Sequence, residues 1–483
     1  MTKSLLFSII AGFALVMLTA GLVRRYSRGL ELFLVSKRSV GTVVGGMSVA
    51  ATWVWAPSLF IAAQKAYQQG LPGIMWFTVP NVACLVVFAF LAARIRKVFP
   101  KGYTLPEYIA VRFDTKTHLV YLFSFLGLQV CSLAVQLIAG ATLLETISGT
   151  PYTWSVVIIA VVFTSYSLID GLYTSIRTEV LQLIMIFAGI ALLVPAVVIA
   201  GGGISTVKAG LGGFTGEFGN IFDPHVAYTF GITVTIGLMS GPVGDQKFWQ
   251  RAFAFSEGNL VKGFLLGAAL FAVVPLSMSL LGFTAAGNPS IAADVYAGKT
   301  TAQQIAPYVV LNLLPNGGII VFVIVVLCSL ASTGGAAICA GGSLIAVDVY
   351  RRYVNPAADE PRMLTISRRS VVGISAAAVG IAVIPGITIL SLFLFYGTLR
   401  SSTLAPTIMT LFLKAIPPWG VFWGVTLGIV LGLPIYFYGE WTGNADLKVA
   451  ANIGIVLVSA GLPPTGILTA RATRNGPIIE GFR

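Results

Sequence analysis

Apolar stretches of about twenty residues, the length that a helix needs to cross a bilayer, recur along the whole of this 483-residue chain. With 57% hydrophobic and 10% charged residues, the chain has too little polar surface to fold as a soluble domain. The pattern predicts an all-α, polytopic membrane protein of the cell (inner) membrane, with the lipid bilayer as its surroundings.

Two of the apolar stretches are interrupted by residues that disfavour a continuous helix. One interruption lies at 50–57 (AATWVWAP) and the other at 241–244 (GPVG). An interrupted helix in lipid leaves backbone groups without partners, so it persists only where those groups line a cavity or hold an ion. Two such breaks at corresponding places in two halves predict a transporter built from an inverted repeat, with its site near the bilayer midplane.

The apolar pattern predicts about thirteen spans within a single transmembrane domain, 1–483. An extra N-terminal helix at 5–24 precedes two five-helix repeats at 42–200 and 226–413, and two more helices follow at 418–468. Most of the 30 lysine and arginine residues fall in every second loop. This bias predicts that the N-terminus lies outside and the C-terminus in the cytoplasm.

Several classes of protein do not fit the sequence. The net charge of +13 comes from short basic clusters between apolar segments, which are typical of orienting loops and not of a nucleic-acid site. The four cysteines lie in apolar segments without a CxxC spacing, and the chain has two histidines, so neither a zinc site nor a disulfide framework is predicted. No nucleophile–base pair is evident within the spans, and we therefore do not expect an enzyme.

Four motifs occur in a fixed order along the chain: YTLPEYIAVRF at 103–113, DGL at 170–172 with TEVLQ at 178–182, DQKFWQR at 245–251, and ST at 332–333 with DVY at 348–350. This series resembles the motifs of the sodium/solute symporter family, and residues 397–406 resemble its urea and polyamine branch. The resemblance implies a LeuT-type fold of 5+5 helices and import of a small-molecule substrate coupled to Na⁺.

The resemblance also implies a sodium site between the first broken helix and the helix that precedes residues 348–350. Its oxygens are the carbonyls of Ala50 and Trp53, an oxygen of Ser329, and the hydroxyls of Ser332 and Thr333. Neutral oxygens of this kind suit a hard cation. The alternative is that the hydroxyls bond to carbonyls one turn back in their own helix.

Two further charged positions belong to the motifs. Glu179 could draw Na⁺ toward a cytoplasmic exit, or it could be a carboxylate at a helix start that pairs with Arg177 or another basic residue. Asp245 and Arg251 are expected to form a structural pair at the inner mouth.

The substrate cavity is expected to be small and partly aromatic. The resemblance implies that family members that carry sugars have an aromatic pair where this chain has Gly241-Pro242. They also have a sugar-binding glutamate where this chain has Met75-Trp76. A sugar is therefore not expected. The predicted lining, beside the sodium residue Trp53, is Trp55, Ala56, Pro57, Met75, Gly241 and Tyr396.

Arg400 is the exception to this weakly polar lining, because an arginine in the middle of a span is costly and normally faces a cavity, a carboxylate or water. Its guanidinium could bind a substrate carboxylate through two parallel hydrogen bonds, which favours an amino acid or a small organic acid. An internal pair with an acid is an equally open interpretation. A urea or polyamine symporter, an uncoupled facilitator and a membrane sensor domain are the alternatives to a sodium-coupled symporter.

Overall fold

Helices form almost all of the computed structural model, which describes residues 3–22, 29–387 and 389–470. The described residues contain no β-strand. An isolated parallel β-bridge joins Val40 to Phe255. The helices are α1 Lys3–Leu22, α2 Leu30–Val35, α3 Thr42–Trp53, α4 Ala56–Val98, α5 Leu105–Arg112, α6 Thr115–Ser148, α7 Tyr152–Asp170, α8 Leu172–Ala200, α9 Gly203–Ala209, α10 Pro224–Val226, α11 Ile232–Val243, α12 Gln246–Ala254, α13 Leu260–Gly287, α14 Pro289–Tyr296, α15 Ile305–Leu313, α16 Asn316–Leu344, α17 Glu360–Ala382, α18 Ile389–Phe412, α19 Pro418–Trp441 and α20 Ala445–Ala470.

Two π-helical segments continue this order, Ala227–Gly231 before α11 and Ile345–Val354 after α16. Within the described ranges, ten helical stretches are long and apolar enough to cross a membrane. The count of about thirteen spans stays a prediction.

Both interruptions expected from the sequence divide a helix. After α3 ends at Trp53, Val54 leaves the helical conformation and Trp55 is extended before α4 begins with Pro57 in its first turn. The second break lies at Gly244 and Asp245, between α11 and α12. At the first break, Pro57 lacks the amide hydrogen that would continue α3, so it occupies the first turn of a new helix.

The long helix α4 bends at Gly70, where φ is +55° and ψ is −143°. A Cβ built on Gly70 would lie 2.4 Å from the carbonyl oxygen of Leu211, so a larger residue would not fit. The loop around Leu211 bonds to the bend, since the amide of Leu71 donates to that carbonyl at 3.0 Å. The bend divides α4 into a first half before Gly70 and a second half after it.

The broken helices lie in the interior of the bundle. Helix α13 packs along α3 and α4, and α16 packs between α6 and α8. Helix α18 contacts α6 and α11, while α19 and α20 pack against each other and against α18. The extra N-terminal helix α1 packs against α7 and α8. The two breaks are thereby enclosed by intact helices, which hold them in a fixed frame.

Candidate functional site

Three hydroxyls of α16 face the broken end of α3. The hydroxyl of Ser329 donates to the carbonyl of Val54 at 2.9 Å, and that of Ser332 donates to the carbonyl of Ala51 at 2.8 Å. Thr333 Oγ1 lies 3.2 Å from the carbonyl oxygen of Thr52. All three side chains are buried. The hydroxyls thus bond across to α3 and not solely within their own helix, although Ser332 also donates to the carbonyl of Ser329.

The carbonyls of Ala50 and Trp53 lie in the same turn of α3. That of Ala50 accepts from the amide of Val54 at 2.9 Å, and that of Trp53 accepts from the amide of Trp55 at 3.1 Å. The break therefore gathers several neutral oxygens from two helices within a buried space. A set of neutral oxygens without a carboxylate is suited to a monovalent cation.

Helix α16 is held close to α7 at the level of these hydroxyls. The hydroxyl of Tyr166 donates to the carbonyl of Ala331 at 2.7 Å. A Cβ on Gly335 would lie 2.6 Å from that phenol oxygen, and a Cβ on Gly334 would lie 2.7 Å from the ring of Phe163. The two glycines let the helices approach closely, so the hydroxyls of α16 stand on a firmly packed wall.

A cavity of about 1180 Å³ lies between α4, α6, α11, α15, α18 and α20. It extends from Lys299 and Lys448, which are expected to face outward, to Arg400 and Gly397 on α18. Arg400 is the one residue of the predicted substrate set among the described lining residues. The cavity therefore connects one side of the protein with the level of the breaks.

Arg400 lies beside the second break and is 4% exposed. A Cβ on Gly244 would lie 2.7 Å from the Arg400 Cα atom, so this glycine brings the two helices together. The guanidinium lies 4.4 Å from the ring centre of Tyr396 and 5.9 Å from that of Trp55. In the described ranges no Asp or Glu forms an ion pair with Arg400, and its Nε atom has no hydrogen-bond partner.

Other residues of the predicted substrate set have different surroundings. Gly241 packs against the indole ring of Trp53, whose Nε1 donates to the carbonyl of Asn81 at 3.2 Å. These two residues fill space where the breaks cross and do not line the cavity. Met75 is half-buried on α4 and also lies outside the described lining. The side chains of Ala56 and Pro57 lie outside the described part of the structure.

A buried ionic network joins three helices on the other side of the breaks. Glu179 of α8 forms an ion pair with Arg251 of α12 and accepts hydrogen bonds from Ser48 of α3 and from Ser175, the latter at 2.6 Å. Arg251 Nε donates to the hydroxyl of Ser48 at 3.0 Å. Glu179 is thus paired with the basic Arg251, but it lies beyond the first turn of α8 and not at the helix start, and its role in a sodium exit stays a prediction.

The prediction that Asp245 pairs with Arg251 is wrong. Asp245 precedes α12 and accepts from the amide of Lys247 at 3.0 Å, and its carboxylate lies 3.2 Å from the Lys247 ammonium. Gln129 also donates to Asp245, at 3.1 Å. Because Asp245 caps the start of α12 while Arg251 lies further along that helix, the two side chains face different neighbours.

Sequence reasoning missed one cavity residue with a clear signal. Lys65 belongs to an apolar stretch of α4 and lines the cavity, with its ammonium 4.3 Å from the ring centre of Phe230. A lysine within a span is by itself a reason to look for a functional site.

The family model described as "Sodium:solute symporter family" matches residues 33–428. The chain belongs to the sodium:solute symporter family. Members of this family are transporters, which confirms the prediction that this symporter-family chain is not an enzyme.

Curated relatives of this symporter-family chain carry different names. It is 23% identical over 413 residues to "Urea-proton symporter DUR3" of Oryza sativa subsp. japonica, covering 79% of this chain and 57% of that protein. It is 26% identical over 332 residues to the "Sodium/pantothenate symporter" of Haemophilus influenzae, covering 66% of each. The human "High affinity choline transporter 1" is 25% identical, covering 73% of this chain and 62% of that protein. The chain thus spans roughly three fifths of these relatives' length.

Two solved structures share the fold. The structure described as the substrate-bound, outward-open state of a Na⁺-coupled sialic acid symporter superposes with a TM-score of 0.82, at 15% identity and with 98% of both chains covered. Mhp1, a nucleobase-cation-symport-1 family transporter, gives a TM-score of 0.57 at 13% identity, with 91% of this chain and 94% of that chain covered. These likenesses confirm the predicted all-α, LeuT-type fold.

Proposed function

We propose that this protein is a sodium-coupled symporter that imports a small organic carboxylate or amino acid by alternating access. The observation that carries the proposal is the contact of Ser329, Ser332 and Thr333 with the broken end of α3. The family membership of the chain supports the same class of function. We further propose that the protein lies in the cell membrane with its N-terminus outside and its C-terminus in the cytoplasm.

The proposed sodium ligands are the carbonyls of Ala50 and Trp53, an oxygen of Ser329, and the hydroxyls of Ser332 and Thr333. The three hydroxyls donate hydrogen bonds to the carbonyls of Val54, Ala51 and Thr52, at 2.9, 2.8 and 3.2 Å, and not to those of Ala50 and Trp53. A bound Na⁺ would take the lone pairs of these hydroxyls, whose protons would rotate away, together with lone pairs of the Ala50 and Trp53 carbonyls. The ion would join α3 to α16 and so stabilise the state in which the cavity is open.

The proposed substrate class follows from Arg400. Its guanidinium ends the cavity between the two breaks, beside the rings of Tyr396 and Trp55. Among the described residues it forms no ion pair with an acid, which supports a role for Arg400 in binding an anionic substrate. A planar guanidinium in a desolvated site favours a carboxylate that accepts two parallel hydrogen bonds.

A second candidate is a urea symporter, and it is favoured by the names of several relatives. The rice protein is named a urea-proton symporter, and the "Urea active transporter" of Saccharomyces cerevisiae is 22% identical over 429 residues. Urea carries no charge, so it would not compensate the Arg400 guanidinium. The relative's name also raises proton coupling as the alternative to sodium.

Uptake into proteoliposomes separates these functions. We expect accumulation of one or more radiolabelled carboxylates or amino acids when an inward Na⁺ gradient is imposed at equal pH on both sides. A pH gradient without Na⁺ should not drive accumulation. Accumulation of urea with exclusion of every carboxylate would overturn the substrate class, while equilibration that ignores both gradients would identify a facilitator.

A further inference from the structure

A second cation besides Arg400, the half-buried Lys65, lines the same cavity. Lys65 lies nine positions after Ala56 in the first half of α4, which corresponds to about 13 Å along the helix axis. Both Lys65 and Arg400 line the cavity. The Lys65 ammonium lies over the ring of Phe230, whose face provides a cation–π contact at 4.3 Å.

Lys65 differs from the other cavity lysines in its partners. Lys299 pairs with Asp294 at 2.6 Å, and Lys448 pairs with Glu440 at 3.2 Å. Within the described ranges Lys65 forms no ion pair. A half-buried ammonium without a counter-charge has lost much of its hydration, and binding of an anion would compensate that loss.

Two neutral polar groups accompany Lys65 on the cavity wall. Gln69 lies one turn further along α4, on the same face as Lys65, and Thr233 follows Phe230 by one turn. The Oε1 atom of Gln69 and the hydroxyl of Thr233 are buried without a hydrogen-bond partner in the part of the chain described. Thr233 can donate its free hydroxyl to an anion, whereas Gln69 would donate through its Nε2 amide and not through the unpartnered Oε1, which only accepts.

We propose that Lys65, Gln69 and Thr233 form an outer anion site, which a carboxylate occupies before it reaches Arg400. This inference rests on the proposed function for the identity of the anion. Lys65 supplies the charge, and the two neutral groups orient the carboxylate without neutralising Lys65. The positive potential of the outer anion site also raises the local concentration of anions and lowers that of cations in the cavity.

The first test measures this potential without any substrate. All four native cysteines are buried, so a Thr233→Cys variant offers one cavity thiol for labelling. The rates of reaction with a negatively charged sulfonatoethyl and a positively charged trimethylammonioethyl methanethiosulfonate are compared. Replacing Lys65 with Met in this background should lower the anion-to-cation rate ratio about tenfold, because one nearby charge acts on both reagents in opposite directions.

Matched variants define the controls of the labelling test. Lys65→Arg keeps the charge and should keep the ratio. Lys299→Met removes a lysine that is already paired with Asp294, and should change the ratio little. Should Lys65→Met fail to fold, Lys65→Gln replaces it. A ratio that is the same with and without the Lys65 charge would overturn the outer anion site.

The second test measures transport of whichever carboxylate the proteoliposomes accumulate. Lys65→Met should raise its KM about three- to tenfold, as loss of one attracting charge predicts, while kcat and the half-saturating Na⁺ concentration stay near wild-type values. An unchanged KM would overturn the outer anion site and leave the proposed function standing. If the wild type carries no carboxylate, the proposed function fails, and the labelling ratio alone then decides whether Lys65 attracts anions.

Discussion

Gly241 lies directly against the indole ring of Trp53, so the two helix breaks touch through a glycine and an aromatic ring. A Cβ built on Gly241 would lie 2.4 Å from Cη2 of Trp53. The indole cannot easily move away, because the ring of Phe248 packs against it with centroids 5.2 Å apart and its Nε1 is bonded to Asn81.

Replacing Gly241 with alanine should therefore destabilise the protein. We expect a loss of about 1 to 3 kcal/mol from overpacking, which outweighs the gain of about 1 kcal/mol that alanine brings to a helix. Thermal unfolding in detergent measures the change. Gly237→Ala is the matched control, because it lies one turn away in α11 and a Cβ there meets nothing within 4 Å. Equal stability of the two variants would contradict the packing argument.

The hydroxyls of Ser332 and Thr333 should determine the sodium dependence of uptake. Ser332→Ala and Thr333→Ala each remove one of about five ligands, so the Na⁺ concentration for half-maximal uptake should rise several-fold. Ser343→Ala is the control, since its hydroxyl bonds to the carbonyl of Ala340 in its own helix at 2.7 Å. Wild-type sodium dependence in both test variants would rule out the site.

Arg400 should be required for substrate and not for stability. Since no acid of the described chain pairs with it, Arg400→Leu should fold and bind Na⁺ while carboxylate uptake is lost. Arg400→Lys should retain weak uptake, because an ammonium lacks the planar fork of a guanidinium. Uptake, sodium binding and unfolding are measured on the same preparations. A stable Arg400→Leu protein that still carries carboxylates would show that Arg400 does not bind the substrate.

Removal of one partner from the buried pair of Glu179 and Arg251 should be costly. Arg251→Met leaves a buried carboxylate without its counter-charge, which typically costs about 3 to 5 kcal/mol. The double variant with Glu179→Leu should recover much of that loss. Unfolding of both variants provides the comparison. A double variant as unstable as Arg251→Met would show that the pair acts through something other than charge.

The orientation can be tested with two exposed positions. Ser205 of α9 and Ala357, between the π-helical segment Ile345–Val354 and α17, are both exposed. A cysteine at Ser205 should react with a membrane-impermeant reagent applied to whole cells, whereas a cysteine at Ala357 should react after the membrane is opened. The reverse pattern would overturn the basic-loop orientation.

The sequence was informative wherever a local property determined the structure. Pro57 and the glycines of 241–244 interrupt helices by their own chemistry, so both breaks could be placed without coordinates. The hydroxyl motif at Ser332 and Thr333 could be assigned to the first break through the family resemblance. Arg400 stood out because a charge in a span is rare.

The sequence was uninformative wherever the contact between two side chains depends on how distant helices pack. Arg251 has two acids near it in the motifs, and its preference for Glu179 depends on how α8 and α12 pack. Trp53 and Gly241 were expected to line the cavity. Instead the Trp53 ring occupies the space beside Gly241 that a side chain would need. The sequence does not show that Lys65 faces a cavity, because the position of the cavity depends on the bend of α4 at Gly70 and on how distant helices pack.

The close packing of α16 against α7 has a consequence for how this scaffold could be re-engineered. Tyr166 and Gly335 fix the proposed ion-binding wall, whereas the cavity beside Arg400 is built largely from α4, α6, α11, α15 and α18. Binding of the coupling ion and binding of the substrate thus depend on largely separate sets of side chains. A laboratory library confined to cavity positions such as Thr233 and Gly237 should yield variants with new cargo that still run on the same ion.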